Sequence, residues 1–493
     1  MKRLTVQNQR PFELSLVPEL TAAEFEAEGR QILSEGSRMM GLFEVEKTSG
    51  GKKVLAVFGN NETSQIYIVK CVFPKEGERF RSFAYEFPNT NYFECELAEN
   101  SGILPEGHPW LRPVRKQNTI LGNIPYQFYR VEGDEVHEVA VGPVHAGVIE
   151  PGHFRFQCHG ETVYHLEISL GYQHRGIEKL LLKADDNKRA LLVESIAGDT
   201  VIGHSMAYSL AMEALSKTGV SLRASVIRSI AEELERVAMH LSGLSGVAND
   251  VGFAIGAAAY GRLRTLVINS LLLISGSRFG RGLVRPGGVM YDLTEGAVKK
   301  ITENLLIVQK DIAEINDFMF SSTSVMTRLE ATGKVHYKWA SEVGMVGPAA
   351  RASGVKTDVR QDFPYGAYRY HATQTVTLDS GDVFARARIR SLEIEESLGF
   401  ILERFVDIPQ GEIFSEVKAL RENTGVISLS EGWRGEIMHA ILTGPDGKIS
   451  SYKVKDPSFN NWYGLALSVR GEGISNFPLC NKSFDLSYSG HDL

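Results

Sequence analysis

Apolar residues between Arg228 and Leu244 fall at Ile230, Leu234, Val237, Leu241 and Leu244, alternating spacings of four and three that place them on one stripe of a helix. Glu232 and Arg236 stand on its polar side in the i,i+4 order that favours an ion pair. A further helical pattern runs from about Val298 to Glu330, while the glycines at 276–282 and 287–288 mark loops, so a helix bundle is expected. The period differs near the start of the chain. Thr21, with Glu24 three residues on, predicts a capped helix start. After Gly36, the segments Met39–Val45, Lys53–Gly59 and Ile66–Pro74 read as strands, separated by turns at Ser49-Gly50-Gly51 and Asn60-Asn61. One helix against a small antiparallel sheet predicts an α+β unit over about 11–117. Gly142 to Phe156 predicts two strands around a turn.

At 493 residues the chain exceeds what one core organises, so at least two domains are expected. A 43% hydrophobic and 23% charged composition is that of a globular protein, and a net charge of −7 argues against a nucleic-acid partner. The uninterrupted apolar runs, Phe253–Tyr260 and Val267–Ile274, fall short of the roughly 20 residues of a membrane-spanning helix. No apolar signal region follows Met1-Lys2-Arg3, which predicts a cytoplasmic protein without a direct membrane span. Cys71, Cys95, Cys158 and Cys480 have the spacing of neither a disulfide framework nor a ligand pair, so each is expected as a small buried hydrophobe. Gly280-Arg281-Gly282 lacks the third glycine and the preceding strand of a dinucleotide site.

Several motifs carry a family resemblance. Gly142-Pro143-Val144-His145-Ala146-Gly147, followed by Gly171-Tyr172-Gln173-His174-Arg175-Gly176-Ile177-Glu178, resembles the opening of the group 4 nickel–iron hydrogenase and respiratory complex I catalytic large subunits. The stretch from Glu194 to Ser205 resembles the first metal-binding box of the hydrogenases, E-R-x-C-G-x-C-x-x-x-H-S, with Ala197 and Thr200 at the cysteine positions. Asp485 to Gly490 resembles the second box, D-P-C-x-x-C, with Ser487 and Gly490 at its cysteine positions. The resemblance continues through Glu233-Leu234-Glu235-Arg236, His240, Asn249-Asp250-Val251-Gly252, Arg285-Pro286-Gly287-Gly288-Val289, Gly381 to Arg386 and Val454 to Phe459. Phe93–Ile103 and Gly107–Arg112 resemble the small peripheral-arm subunit that is fused to the large one in some membrane hydrogenases, with Cys95 at a usual Arg and Glu99 at a usual Asp.

The implied fold is α+β: a peripheral-arm domain at 1–120, a linker at 121–141, and a mainly helical large-subunit domain at 142–493 that opens with a β-hairpin. A nickel–iron centre needs soft bridging thiolates. Ala197 and Gly490 carry no donor, Thr200 and Ser487 carry neutral hydroxyls, and Cys480 lies too far from Ser487 to substitute without rearranging the tail. The implied function is therefore that of a catalytic-type large subunit of a membrane-bound, energy-converting oxidoreductase without nickel. It takes electrons from an iron–sulfur cluster held by a partner and reduces a quinone or another small acceptor. A non-enzymatic coupling scaffold of an ion-translocating complex and a divergent hydrogenase are the alternatives. The implied partners are a small iron–sulfur subunit and integral membrane antiporter-like subunits, with the chain peripheral on the inner face of the cell membrane and no covalently bound cofactor.

Catalytic candidates are His145, His174, Arg175, Asp199, His204 and Asp456; cofactor-binding candidates are Glu178 and Arg285; no metal ligand is assigned. Asp199 and His204 are expected as a proton-handling pair, since a neighbouring carboxylate raises a histidine pKa. Complex I catalytic subunits protonate quinone with a hairpin His and a nearby Tyr. His145 matches the first and Gly198 falls near the second, with Tyr172 or Tyr208 as substitutes. His240 is expected as a satisfied buried histidine and His108 as a turn residue.

Overall fold

A computed structural model describes residues 2–48, 51–74, 78–116, 119–120, 124–145 and 149–493. Near the N-terminus lie β1 (Leu4–Val6), β2 (Phe12–Glu13), β3 (Glu19–Leu20), α1 (Ala22–Ser34), β4 (Arg38–Thr48), β5 (Gly51–Asn60), β6 (Gln65–Pro74) and α2 (Asn91–Ser101). Thr21 caps α1 as the sequence predicts: Glu24 N–H donates to Thr21 Oγ1 at 3.4 Å, and Thr21 N–H donates to Glu24 Oε2 at 2.9 Å. The sheet runs β1-β6-β5-β4, antiparallel throughout, with β3 added parallel to β6. Of the predicted turns, Asn60-Asn61 begins the β5–β6 connection, while Ser49-Gly50 lies outside the described residues.

Strand β5 is a near-continuous apolar run because both of its faces are covered. Val54, Ala56 and Phe58 point towards Phe25, Ile32 and Phe93 of α1 and α2. The intervening Leu55 and Val57 pack with Ile427, Leu429, Met438 and Ala440 from the far end of the chain. Those residues belong to a second sheet of β10 (Thr424–Gly432), β11 (Gly435–Thr443) and β12 (Ile449–Lys455), whose edge strand is β2, with Phe12 opposite Gly425. Arg38 and Lys455 both bind the buried carboxylate of Glu436, tying the two sheets together.

Between these regions come a three-stranded antiparallel sheet of β7 (Val136–Val141), β8 (His153–His159) and β9 (Thr162–Ser169), then α3 (Ile177–Lys183), α4 (Asp186–Val193), α5 (Val201–Ser216), α6 (Leu222–Asp250), α7 (Ala254–Ser275), α8 (Glu295–Ser321), α9 (Thr323–Leu329) and α10 (Val383–Val406). After β12 follow α11 (Pro457–Ser468), α12 (Phe477–Phe484) and α13 (Tyr488–Asp492). The predicted strands around Gly142 are displaced: β7 ends before Gly142, and β8 begins only at His153. Gly142 has φ +89°, and a Cβ there would lie 2.2 Å from Gly152 O, so the chain leaves the ladder at this glycine. Residues 146–148 lie outside the described residues. The helical pattern at 298–330 is broken at Ser322, whose backbone is extended.

The stripe on α6 is buried as expected, but so is its polar face. Arg236 therefore pairs with Glu233 at 3.1 Å and donates to the carbonyls of Gly432 and Glu431, while Glu232 accepts from Tyr365 Oη at 3.0 Å. The predicted Glu232–Arg236 pair gives way because α10 and residues 365–369 cover this face and offer closer partners. The two apolar runs fall on one helix, α7, and so reach together the length that neither has alone. Among the described residues α7 is long and apolar enough to cross a membrane, because its arginines interrupt runs without lowering the average far. Tyr260, Leu263, Val267 and Leu271 of that helix are buried in the bundle core, and Ile255, Leu272 and Leu273 are exposed.

Candidate functional site

The two boxes are distant in sequence and adjacent in space, joined by two arginines. Arg175 donates from Nη1 to Ser195 O at 2.6 Å and from Nη2 to Ile196 O at 2.9 Å and Ser489 O at 3.0 Å. Arg434, in the turn between β10 and β11, binds both oxygens of Asp199 at 2.6 and 2.8 Å, Thr200 Oγ1 at 3.2 Å and Asp485 O at 2.5 Å. Such a bidentate, charge-assisted fork fixes both orientation and position. Glu235 of α6 accepts the N–H groups of Ile202 and Gly203, satisfying the exposed donors of the first turn of α5.

Below this junction lies a buried chain of hydrogen bonds. His204 Nε2 is 3.1 Å from Asp456 Oδ2, His204 Nδ1 is 3.1 Å from His439 Nε2, and His439 Nδ1 is 2.8 Å from Tyr452 Oη. Burial favours the neutral acid of Asp456, but the bond and charge from His204, together with Arg434, bring its pKa below the usual value. Burial, reinforced by the neighbouring His204, keeps His439 neutral. Two proton arrangements satisfy every link to anionic Asp456: Tyr452 O–H donates to His439 Nδ1, His439 Nε2–H to His204 Nδ1 and His204 Nε2–H to Asp456, or a protonated His204 donates to both Asp456 and His439 Nε2 while His439 Nδ1–H donates to Tyr452 Oη.

The expected Asp199–His204 pair does not form. Asp199 precedes α5 and turns to the Arg434 fork, whereas His204 faces β11 and β12. Arg285 holds Glu194, at the start of the first box, at 2.6 Å, where Gly282 N–H also donates to it. His145 is engaged within its own loop through Gly152 O at 2.8 Å. His174 bonds Asp492 O at 2.7 Å, and Glu178 accepts from Val454 N and Lys453 Nζ, each at 3.0 Å. Sequence reasoning missed Arg434, His439 and Tyr452, and named Glu235 without a role. The turn Gly432-Trp433-Arg434-Gly435 was the available signal for the first.

A family profile described as "Respiratory-chain NADH dehydrogenase, 49 Kd subunit" matches residues 250–426. A component of the F(420)H(2) dehydrogenase of Methanosarcina mazei is 32% identical over 323 residues, 65% of this chain and 84% of that protein. The chain belongs to the family of complex I 49-kDa subunits and group 4 hydrogenase large subunits. Formate hydrogenlyase subunit 5 of Escherichia coli (strain K12) is 28% identical over 428 residues, 82% of this chain and 75% of that protein. The membrane-bound hydrogenase subunit alpha of Pyrococcus furiosus is 28% identical over 366 residues, 71% of this chain and 85% of that protein.

For a large subunit of this family, the side chains at the four box positions do not fit a nickel–iron centre. Ala197 is fully buried and has no donor atom. The Thr200 hydroxyl is taken by Arg434, and Ser487 Oγ accepts Gly490 N–H at 2.9 Å as a helix cap. At Gly490 the side-chain space is filled by Asp456: a Cβ there would lie 2.6 Å from Asp456 Cγ. Among the described residues no group of three or more His, Cys, Asp or Glu gathers as a ligand set. All four cysteines of this large subunit are buried, and burial pushes the Cys71 and Cys95 thiols up to about 12.

Proposed function

We propose that this chain is the large subunit of a membrane-bound, energy-converting oxidoreductase that works without a nickel–iron centre. It receives electrons from an iron–sulfur cluster of a small partner subunit and passes them to a quinone or another small acceptor. Relatives named as membrane-bound hydrogenase and NADH-quinone oxidoreductase subunits support a place at the membrane, and our reading puts the chain peripherally beside integral, antiporter-like subunits. The division into a peripheral-arm domain at 1–120 and a large-subunit domain at 142–493 belongs to the same proposal.

The carrying observation is the substitution of ligands by an ion-paired seal: Arg434 and Asp456 hold the two boxes together where thiolates would bridge metals. Elemental analysis of the purified complex tests it; substoichiometric nickel is expected, and one nickel per chain would restore the hydrogenase alternative. A scaffold reading is favoured by the buried ion network that reaches the second box. Arg351 joins Glu393 and Glu431, Glu393 accepts from His240, and Arg390 holds the carbonyls of Ser483 and Phe484. Redox titration of the complex separates the two readings. An acceptor reduced through the partner's cluster supports the enzyme, and an inert complex with intact ion transport supports the scaffold.

A further inference from the structure

A cavity of about 250 Å³ lies against the β7–β9 sheet, and none of its described lining residues belongs to either box. Arg112 and Pro113 line it from the N-terminal unit, Tyr126 and Phe128 from the segment that follows, and His153, Glu167 and Ser169 from the sheet. Arg112 is 4% exposed. Its guanidinium is stacked over Trp110 at 4.0 Å and over Tyr92 at 4.5 Å, and Nη2 donates to Tyr92 Oη. Nε is buried without a partner, Nη1 makes no hydrogen bond, and among the described residues no carboxylate oxygen comes within 4.0 Å of the guanidinium. A buried charge is costly unless it is paired, and aromatic faces supply only part of that compensation. Glu167, 2% exposed, lies beyond ion-pair distance and is already engaged: Oε1 accepts from Tyr126 Oη, and Oε2 accepts from Tyr129 N–H at 3.2 Å. Each of its oxygens keeps a second lone pair. The cavity thus holds a cation short of an anion and, more than 4.0 Å away, an acceptor able to take a further hydrogen.

We propose that this cavity binds a small carboxylate that also carries a hydroxyl or ammonium donor, its carboxylate on Arg112 and its donor on Glu167. The guanidinium selects carboxylate oxygens. Glu167 repels a multiply charged anion such as phosphate and rewards a ligand that brings a hydrogen of its own. The volume is below the roughly 300–1,000 Å³ of cavities for drug-sized ligands, so the ligand is short. Because the lining comes from three separate stretches of chain, occupancy ties the N-terminal unit to the sheet and raises the melting temperature. None of this depends on the electron acceptor proposed above.

The test is calorimetric titration of the purified full chain with glycolate and with glycine, which separate a hydroxyl from an ammonium donor, against acetate, glycolamide and inorganic phosphate. Saturable binding of glycolate or glycine is expected. Acetate, which lacks the donor, should bind about 10-fold more weakly, and glycolamide, which lacks the charge, about 10- to 100-fold more weakly. Arg112→Met keeps an unbranched side chain against the aromatic rings and should abolish binding. Ser169→Leu, at the partly exposed end of β9, fills the cavity without altering the guanidinium, and should abolish binding even if Arg112→Met does not fold. The melting temperature of the parent should rise with the bound probe, and that of Ser169→Leu should not. No saturable binding of glycolate or glycine, phosphate bound more tightly than either, or affinity unchanged in both variants overturns the site. Acetate bound as tightly as glycolate and glycine overturns the role given to Glu167.

Discussion

Gly490 and Asp456 share one space. The Asp456 carboxylate caps α11 through Ser458 N–H at 2.8 Å and accepts from His204 at 3.1 Å, so it is held from two sides where a side chain at 490 would have to go. The glycine is required by close approach rather than by backbone conformation, since position 490 is not among those with positive φ.

Gly490→Ala is therefore expected to destabilise the chain by about 1–3 kcal/mol, the range for overpacking a closed site. A shift of the urea midpoint at unchanged slope would measure it. Gly490→Cys should cost at least as much and recruit no nickel. An unshifted midpoint in both variants would mean that the carboxylate retreats freely and that the space is not shared.

Much of this arrangement was legible in the sequence because motifs fix local conformation. The capping box at Thr21 and the stripe on α6 follow from short spacings, and the meeting of the two boxes from the family resemblance. The partners of polar groups did not follow. Glu232 and Arg236 suit each other in an isolated helix, yet the burial of their face hands each to a residue far away in sequence. Asp199 likewise went to Arg434 and not to His204. His439 and Tyr452 sit within buried strands whose apolar neighbours disguise them as sheet core. Long-range pairing of this kind leaves no period in the chain.

His240 offers a pH test. Its Nε2 lies 2.8 Å from Glu393 Oε2, and Arg390 Nη1 approaches Nδ1 at 3.3 Å. Burial, only partly offset by the Glu393 carboxylate, brings its pKa down to about 4. The unfolded chain then takes up a proton that the folded one refuses. Stability is intact above the unfolded histidine value of about 6.5 and falls as pH drops towards 4, by about 3 kcal/mol in all. His240→Gln retains a donor for Glu393 but cannot titrate. Denaturant melts between pH 7 and 4 should show a slope shallower in the variant by about 1.4 kcal/mol per pH unit. Parallel curves would mean that His240 takes up its proton in the fold as readily as in the unfolded chain.

Glu232 makes the opposite prediction. Its Oε1 accepts from Tyr365, its Oε2 has no donor, and Glu233 and Glu235 stand on the same helix. Arg236, four residues on, bonds Glu233 and two carbonyls. Burial, aided by the neighbouring carboxylates and only partly opposed by Arg236, raises the Glu232 pKa well above the ordinary value. Because the folded-state value is raised, the stabilising contribution is complete below the unfolded value of about 4.3 and is lost progressively as pH rises towards the folded pKa. Glu232→Gln is neutral at every pH and escapes that loss. Any constant penalty for burying the amide shifts its curve without tilting it. The stability of the variant relative to the parent should therefore climb as pH rises above about 4.3, with a slope of up to about 1.4 kcal/mol per pH unit until the folded pKa is reached. An infrared band of a protonated carboxyl should be present in the parent at pH 7 and absent in the variant. A difference that stays flat with pH, with no such band, would show Glu232 to be ionised.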